Sequence, residues 1–345
     1  MSCTYILDQK ERVYLKTESS WGVIPNTTGT ATLSGSNYCR AISCDLNPTL
    51  DIYTRQDKTG NLSYPTGTPG RERGDWKLKM SLAGNGSAGV VPDMDPILSC
   101  LMGQAATVVA STSCTYSLSD NVNSLDIWSF RTDTAGTGNP NQRVAVGSVV
   151  NSATFHLNEN IATVDFDGIA KLILGSFDFA TRGSDGDTAG QSSLTSFPSE
   201  PSSPVANGNA APGYYGSLTM DSQTIATIRS ADIKFDMNRK FSQVFGSRYP
   251  GCAIAGKRKI TFSCELYDGS DTATKDIYTR SYDKATFGAT MVIGNVAGNT
   301  WTITLSGLQL APYTYQETDG VYALRFGDSM ATSNAGLTEA TIAIT

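Results

Sequence analysis

The sequence predicts an all-β protein with minor helical content, built from two tandem antiparallel β-sandwich or half-barrel units. Short segments alternate between apolar and polar residues, as strands with one buried face and one solvated face do. Charged residues make up only 17% of the 345 residues, and Gly, Ser and Thr are abundant, which favours strands and turns over helices. The same order of predicted elements occurs twice, which indicates an internal repeat.

The stretch from Trp76 to Gly103 organises the first unit. Residues 76–82 place an apolar side chain at every second position, which predicts a half-buried strand. A glycine-rich bridge follows, and then a short helix. Asp95 is the expected N-cap of that helix, Pro96 lies in its first turn, and Gly103 ends it.

The other strands of the first unit show the same alternation. Residues 38–46 form the first clear strand, with Ile42, Cys44 and Leu46 on one face, and Asn47-Pro48 is expected to end it. The remaining segments are residues 114–118, 125–130, 161–166 and 172–174, together with a predicted hairpin or meander of residues 143–150 and 152–157.

Two polar stretches of the first unit are expected to project from its body. Residues 49–73 are rich in Thr, Gly, Pro and charge and are too long for a tight turn, so they predict a hairpin arm. Residues 1–35 are expected to form an irregular N-terminal arm, with a brief strand at residues 13–15. Trp21 lies beside a glycine and just before a proline, and we expect this large aromatic side chain to anchor that arm on an apolar surface.

The second unit repeats the plan of strand, projecting arm, strand and short helix. Residues 231–237 correspond to the strand at 38–46, and residues 260–266 correspond to the strand at 76–82. A basic excursion separates them, and residues 271–279 take the place of the helix. We therefore predict a first domain at 1–180, a Ser-, Gly- and Pro-rich linker or loop at 181–213, and a second domain at 214–345.

No catalytic, cofactor-binding or metal-binding residues are predicted. Residues 84–89 match a dinucleotide-binding glycine pattern, but that pattern needs a parallel βαβ unit, so a flexible bridge is the better interpretation. His156 is the single histidine and is expected to be a solvated strand residue. The Asp pairs at 93 and 95 and at 185 and 187 lack calcium-loop spacing and suit caps and turns.

The seven cysteines and the N-terminus bear on the compartment. Their odd number and the absence of Cys-x-x-Cys favour free thiols in a reducing environment, with Cys44 and Cys264 on apolar faces. The first residues lack the basic and apolar regions of a signal peptide, and no apolar run is long enough to cross a membrane. No membrane partner is therefore expected.

Two motifs of the first unit are distinctive: Glu18-Ser-Ser-Trp-Gly-Val-Ile-Pro25 near the N-terminus and Pro92-Asp-Met-Asp-Pro-Ile-Leu-Ser-Cys-Leu-Met-Gly103 at the helix. They resemble motifs of the major tail tube proteins of bacteriophages with long, non-contractile tails. The family commonly has a "Glu…Trp/Tyr-Gly…Pro" opening and an "Asp-x-x-Pro-Leu-Leu-x-x-x-x-Gly" helix. Here Ile97 stands at a leucine position.

The resemblance implies a structural virion protein without enzymatic activity. Its copies would form stacked rings whose inner sheets join around a lumen that conducts DNA during ejection. Six copies usually form a ring, so a doubled chain implies a trimeric ring with pseudo-sixfold symmetry, or else a hexameric ring. The implied partners are further copies of the chain, the tape measure protein and genomic DNA in the lumen without specific binding, and tail terminator and distal tail proteins at the ends. The location is the virion tail, after assembly in the host cytoplasm.

The charges suggest where copies meet. The formal net charge is −6, and a lumen through which DNA slides should lack clustered cations, because each cation that contacts phosphate adds affinity. Basic residues are therefore expected at contacts between rings or subunits; these are Arg55, Lys58, Arg71, Arg73, Arg248, Lys257, Arg258 and Lys259. Two alternatives remain: another non-enzymatic virion component, such as a tail terminator or a capsid-decoration protein, and a carbohydrate-binding β protein.

Overall fold

The computed structural model describes residues 6–27, 30–55, 58, 66–133, 141–158, 160–176, 179, 197–202, 208–318, 320–332 and 336–345. It confirms an all-β fold of large antiparallel sheets with two α-helices in this described part. The first half contains β1 (Ile6–Thr17), β2 (Asn26–Thr27), β3 (Thr30–Ala31), β4 (Tyr38–Cys39), β5 (Ala41–Tyr53), β6 (Thr68–Ser81), α1 (Asp95–Met102), β7 (Thr107–Val109), β8 (Ser113–Ser117), β9 (Leu125–Asp133), β10 (Arg143–Leu157), β11 (Thr163–Ala170) and β12 (Leu172–Gly175).

The second half follows a similar order. It contains β13 (Ser217–Met220), β14 (Gln223–Ile225), β15 (Ile228–Asp236), β16 (Lys240–Ser242), β17 (Cys252–Ile254), β18 (Lys259–Tyr267), α2 (Thr272–Asp283), β19 (Thr286–Ile293), β20 (Trp301–Gln309), β21 (Tyr313–Thr318), β22 (Val321–Ala331) and β23 (Ala340–Ile344). Single 3-10 turns lie at Gly35–Asn37 and Gly213–Tyr215.

Eight strands form one continuous antiparallel run in the order β5-β6-β11-β10-β15-β18-β22-β21. The first four strands come from the first half of the chain and the last four from the second half. A second layer contains β4-β1-β9 beside the start of β10 and β14-β13-β19-β20-β23-β8-β7 beside the second half. The irregular arm predicted at residues 1–35 is therefore wrong for residues 6–17, which form β1 and pair with β9. The two layers bury the main core between them, with Trp76, Phe155 and Trp301 fully enclosed.

The alternating segments fold as predicted where one face is buried. In β6 the side chains of Trp76, Leu78 and Met80 are buried and the intervening lysines face solvent. The helix α1 begins one residue earlier than expected, because Met94 and not Asp95 is its N-cap and Asp95 is its first residue. The Asp95 carboxylate accepts a hydrogen bond from the Tyr116 hydroxyl at 2.8 Å, and Gly103 ends the helix in the left-handed conformation that glycine tolerates.

Strand β5 is longer than predicted. Asn47-Pro48 does not end it, since β5 lies at the edge of the eight-strand run, where the missing amide hydrogen of proline disrupts no pairing on the outer side. The prediction that Ile42 lies on the buried face was also wrong. A bulge between Ala41 and Ser43 turns Ile42 outward, so its side chain is 55% exposed.

The predicted hairpin within residues 143–157 was wrong, because β10 is one continuous strand. Its first part pairs with β9 and β12, and its second part pairs with β11 and β15. Gly147, with a φ of 62°, and a register shift near Asn151 bend the strand from one layer into the other. These irregular positions interrupt the alternation, so the sequence pattern resembles two shorter strands.

The two halves contact each other along their strands. β10 pairs with β15 from Ser152↔Asp236 to Leu157↔Ala231, and β8 pairs with β23. Much of the predicted linker, including residues 181–196 and 203–207, lies outside the described residues. Its described end is packed, since the Ala211 amide donates to the Leu82 carbonyl at 2.7 Å. The boundaries at 180 and 214 stay a prediction.

Candidate subunit interfaces

The first projecting hairpin packs against the excursion that follows β15. The Arg71 guanidinium donates to the Gln243 side chain and to the Val244 carbonyl, the latter at 3.3 Å. The carboxylate of Glu72, of which only 7% is exposed, lies 3.2 Å from Arg248 Nε. Arg71 and Arg248 therefore hold the two arms of one chain together, and their contacts with another copy stay a prediction.

The outer part of the first hairpin carries the other predicted cations. Arg73 lies 4.0 Å from Asp51 across the hairpin, with both side chains over a third exposed. Such an exposed pair contributes little to stability. Arg55 and Lys58 lie at the end of the hairpin and are exposed, and much of the hairpin end around them lies outside the described residues.

The basic cluster before β18 divides into two kinds of residue. Arg258 is 17% exposed and contacts Asp120 at 2.9 Å and Glu339 at 3.4 Å, so it connects the start of β18 to both halves of the chain. Its neighbours Lys257 and Lys259 are exposed, and Lys259 lies opposite Asp236 in the sheet.

The Trp21 side chain contacts two parts of the chain. Its ring centroid lies 6.0 Å from that of Phe241 in the second arm, and Lys171 Nζ lies 5.3 Å above the ring. A cation over an indole face is an attractive contact. Burial lowers the pKa of Lys171.

The Glu18 carboxylate stabilises the turn that contains Trp21 and Gly22. Its carboxylate accepts hydrogen bonds from the Gly22 and Gly147 amides, both at 2.7 Å, and from the Ser124 hydroxyl at 2.6 Å. Gly22 has a φ of 68°, and a Cβ there would lie 2.5 Å from Lys171. The carboxylate therefore fixes the turn that carries Trp21 against the bend of β10.

A second buried carboxyl group lies beside Glu18. Asp126 is fully buried, and the combination of burial and the neighbouring Glu18 raises the pKa of Asp126 well above its usual value. Burial disfavours the charged form of a carboxyl group, and the neighbouring Glu18, which accepts three hydrogen bonds, disfavours it further.

Arg239 is a structural contact that sequence reasoning missed. Its side chain is buried, and its guanidinium donates to the carbonyls of Cys100 and Leu101 at 2.7 and 3.1 Å. These carbonyls belong to the last turn of α1, where a cation interacts favourably with the helix dipole. The basic residues at the start of the second arm were the only sequence signal for this contact, and they did not indicate that α1 is the partner of Arg239.

The glycines at 84–89 have a packing role. A Cβ at Gly84 would lie 1.9 Å from the Gly298 carbonyl oxygen. The Gly84 amide donates to the Asn299 side chain at 2.6 Å, and the Gly86 amide donates to the Gly298 carbonyl at 3.2 Å. Two backbones approach each other here, which only glycine permits.

The face of the eight-strand run that points away from the main core is polar and charged. Lys77 lies 3.8 Å from Asp167, and Lys79 lies 3.3 Å from Asp165. His156 lies at the boundary between the two halves, where its Nδ1 is 2.8 Å from Asp232 and its Nε2 is 3.2 Å from Asp165. The hydrogen bond with Asp232, and then the charges of both carboxylates, raise the pKa of His156.

The eight-strand run ends in two strands that each pair with one described neighbour. β5 pairs with β6, and β21 pairs with β22. Such edges present unpaired backbone groups that can pair with another chain. Large apolar and aromatic side chains are exposed beside them; they are Ile42, Leu50, Ile52, Tyr53, Tyr282 and Tyr315.

Further searches of the described residues concern thiols, metals and membranes. Five of the six described cysteines are buried and free, including Cys44 and Cys264, while Cys252 is exposed. Within the same residues, no group of three or more His, Cys, Asp or Glu side chains is placed to hold a metal ion. No described helix has the length and apolarity needed to cross a membrane.

These features define an antiparallel β protein whose distinctive surfaces are strand edges, projecting arms and a charged sheet face. A sequence profile described as phage tail tube protein matches residues 9–344. The chain therefore belongs to the phage tail tube protein family, as the two sequence motifs suggested. A search of curated proteins finds no match.

Proposed function

We propose that the protein is the structural subunit of a phage tail tube, in which rings of this chain stack into a hollow conduit for DNA. The observation that carries this proposal is the eight-strand run, since each of its end strands pairs with only one described strand and can add another. Copies that add edge to edge form a ring when the rotation from one copy to the next closes around an axis. A chain that supplies two similar four-strand groups favours three copies with pseudo-sixfold symmetry over six copies.

The polar face of the run suits the inner wall of such a tube. Its lysines at 77 and 79 lie beside Asp167 and Asp165, so these cations are already neutralised within the sheet. This pairing would limit how strongly the two lysines hold passing DNA or the tape measure protein. Lys234 and Arg325 are further exposed cations on this face. Arg73 and Lys259 lie on this same face of their strands, where the arms begin.

The arms and the N-terminal turn suit contacts between stacked rings. Arg55, Lys58 and Lys257 are exposed cations on them, and Trp21 fixes the N-terminal segment beside the second arm. We assign the ends of the tube to tail terminator and distal tail proteins. The protein would then be a non-enzymatic component of the virion tail, assembled in the host cytoplasm.

Electron microscopy of the purified protein tests this proposal. We expect rings or tubes with a central channel, with a symmetry of three or six in class averages. DNA retention on the tubes at low salt should be no greater than for the monomeric protein. Compact monomers at all concentrations would contradict a tube subunit, and monomers that bind glycans would favour a carbohydrate-binding protein.

A further inference from the structure

The contact between the two halves of one chain shows how two copies can pair, and this inference rests on the proposed ring. At this internal boundary, the second part of β10 pairs antiparallel with β15, with Phe155 opposite Ile233 and His156 opposite Asp232. Phe155 and Ile233 are completely buried. The question is which strands occupy the same positions at the two ends of the run.

The hairpin of β5 and β6 corresponds to that of β15 and β18 residue by residue. Both pairs contain a bulge at the same place, between Ala41 and Ser43 in β5 and between Ile228 and Ser230 in β15. When the bulges are matched, the paired positions coincide along both hairpins. The resulting matches are Asp45 with Asp232, Leu46 with Ile233, Asn47 with Lys234, Trp76 with Phe262 and Lys79 with Glu265.

The hairpin of β10 and β11 corresponds in the same way to that of β21 and β22. The correspondence is anchored because β11 lies beside β6 and β22 lies beside β18. It places Phe166 with Phe326, both of them buried on the core side. On the outer strands it matches Thr154 with Thr314, Phe155 with Tyr315 and His156 with Gln316.

We propose that β21 of one copy pairs antiparallel with β5 of the next copy, in the register of the internal boundary. Tyr315 then lies opposite Leu46, Gln316 opposite Asp45, and Thr314 opposite Asn47. The partner of each edge is thus a second copy of this chain. A shift of one residue would reverse which face each side chain points to, so this register is the one that keeps the polar face continuous.

The exposure of Tyr315 supports this pairing. Its side chain is 58% exposed, whereas Phe155 at the matching internal position is 0% exposed because β15 covers it. Tyr315 belongs to a group of aromatic side chains at this edge: its hydroxyl lies 2.7 Å from that of Tyr278, and the rings of Tyr313 and Tyr282 lie 5.7 Å apart. Exposed tyrosines grouped beside an open edge are typical of a protein interface.

The polar side chains are also complementary. Inside the chain, His156 bridges Asp232 and Asp165. At the proposed boundary, the Gln316 amide takes the place of the imidazole, the Asp45 carboxylate of the next copy takes the place of Asp232, and Arg325 takes that of Asp165. An amide between a carboxylate and a guanidinium can donate to the first and accept from the second.

The β5 edge of the single chain is guarded. Arg143 donates to the Leu46 carbonyl at 3.0 Å, and Arg131 donates to the Cys44 carbonyl at 3.5 Å. Charged side chains at an edge limit wrong pairings. Each arginine makes one hydrogen bond to a β5 carbonyl. When β21 of another copy pairs with β5, several backbone hydrogen bonds and the burial of the tyrosines would replace these two contacts.

Cysteine cross-linking tests the register. The background chain has Cys252→Ser and Cys3→Ser, which removes the exposed thiol and the one outside the described residues. Two in-register variants are Asp45→Cys with Gln316→Cys and Asn47→Cys with Thr314→Cys. Two matched controls exchange the partners, Asp45→Cys with Thr314→Cys and Asn47→Cys with Gln316→Cys. Directly opposite residues have Cβ atoms about 5 Å apart, whereas the diagonal pairs are about 7–8 Å apart and too distant for a disulfide.

On mild oxidation of assembled rings, we expect the in-register variants to give a covalent ladder of copies and the exchanged variants to give at least tenfold less. The register would be wrong if the in-register variants form rings without cross-links, or if the in-register and exchanged variants cross-link equally. Either result would leave the tube proposal intact. Absence of rings in the wild-type protein would instead count against the tube proposal.

Hydrogen exchange on the wild-type protein covers the case in which the cysteine variants do not assemble. The backbone amides of residues 44–47 that point away from β6, and those of residues 313–317 that point away from β22, should exchange at least tenfold more slowly in tubes than in the free chain. Amides of β10 and β15 at the internal boundary should be protected in both states and serve as the reference. Unchanged exchange at both edges after assembly would refute the pairing of β21 with β5.

Discussion

The guanidinium of Arg239 donates a hydrogen bond of 2.7 Å to the carbonyl of Cys100, so a residue from the second half of the chain caps the C-terminus of the helix in the first half. The same side chain reaches the Leu101 carbonyl, and its backbone amide donates to the Asn151 side chain at 2.7 Å. Arg239 therefore connects α1, the bend of β10 and the start of the second arm. This contact lies among buried groups, where an unsatisfied carbonyl is costly.

We expect Arg239→Ala to lower the free energy of unfolding by about 2–3 kcal/mol, because two helix carbonyls lose a charged donor. Arg239→Lys keeps the charge but cannot reach both carbonyls with a planar fork, so its loss should be intermediate. Chemical denaturation of the free chain measures both values. Equal stability of Arg239→Ala and the wild type would show that water replaces the guanidinium fully.

The bond between His156 and Asp232 predicts a pH dependence of the internal boundary. The folded chain raises the pKa of His156, so its stabilising contribution is full below the unfolded value of about 6.5 and is lost as pH rises through the folded value. Asp165, which also faces His156, lies near Lys79 as well. Stability measured from pH 6 to 9 should decline over this window in the wild type.

His156→Gln is the matched control for this prediction. Glutamine can donate to Asp232 but does not titrate, and the repeat already has Gln316 at the corresponding position. The difference in unfolding free energy between the wild type and the variant should therefore shrink as pH rises above 7. A constant difference over the whole range would show that protonation of His156 does not stabilise the fold.

The raised pKa of Asp126 predicts that replacing its carboxyl group with an amide stabilises the fold. Its raised pKa means that the folded chain takes up a proton above the unfolded value of about 3.9, so stability falls as pH rises toward the folded pKa. Asp126→Asn keeps the shape without that proton and should be more stable than the wild type at pH 7 and above. The gain should disappear near pH 4.

Glu18→Gln is the contrasting variant. It removes the charge that accepts bonds from Gly22, Gly147 and Ser124, and charged hydrogen bonds contribute about 1.5–3 kcal/mol each. We expect a loss of stability at neutral pH, opposite in sign to Asp126→Asn. Thermal melts of both variants at pH 4, 7 and 8 would test the pair. Destabilisation by both substitutions at pH 8 would contradict a raised pKa of Asp126.

The sequence predicted elements well where a strand has one buried face. The alternation in residues 76–82 and 231–237 identified the strands that became β6 and β15, because each buried side chain is two residues from the next. The bulges near Ile42 and Asn151 broke this pattern, so a face and a strand length were assigned wrongly. The pairing of β10 with β15 depends on residues about 80 apart in the chain, and local pattern carries no such register.

The candidate interface was predictable in composition and less so in its contacts. The basic residues were identified by charge, yet Arg71, Arg248 and Arg258 have partners within the same chain. Charge alone does not reveal a partner, because an opposite charge distant in sequence is as suitable as one on another copy. The family resemblance implied that sheets of neighbouring copies join at their edges. The strand pairing in the structure was needed to identify β5 and β21 as the edge strands.

Shortening the first arm tests whether its end serves contacts between rings. Tyr53 lies opposite Thr68, so residues 54–67 can be replaced by Asn-Gly, which favours the tight turn of a two-residue hairpin. The change removes Arg55 and Lys58 but keeps Glu72 and its contact with Arg248. The melting temperature of the free chain should therefore change by no more than a few degrees. In electron micrographs, single rings should form while stacked tubes are lost, because the ring edges β5 and β21 remain and the exposed ends of the arms do not.

A double substitution, Arg55→Ala with Lys58→Ala, in the full-length arm separates the effect of charge from that of length. It should weaken the stacking of rings in a salt-dependent manner. Normal tubes from the shortened chain would place the contacts between rings elsewhere, and an unfolded chain would show that the end of the arm belongs to the core.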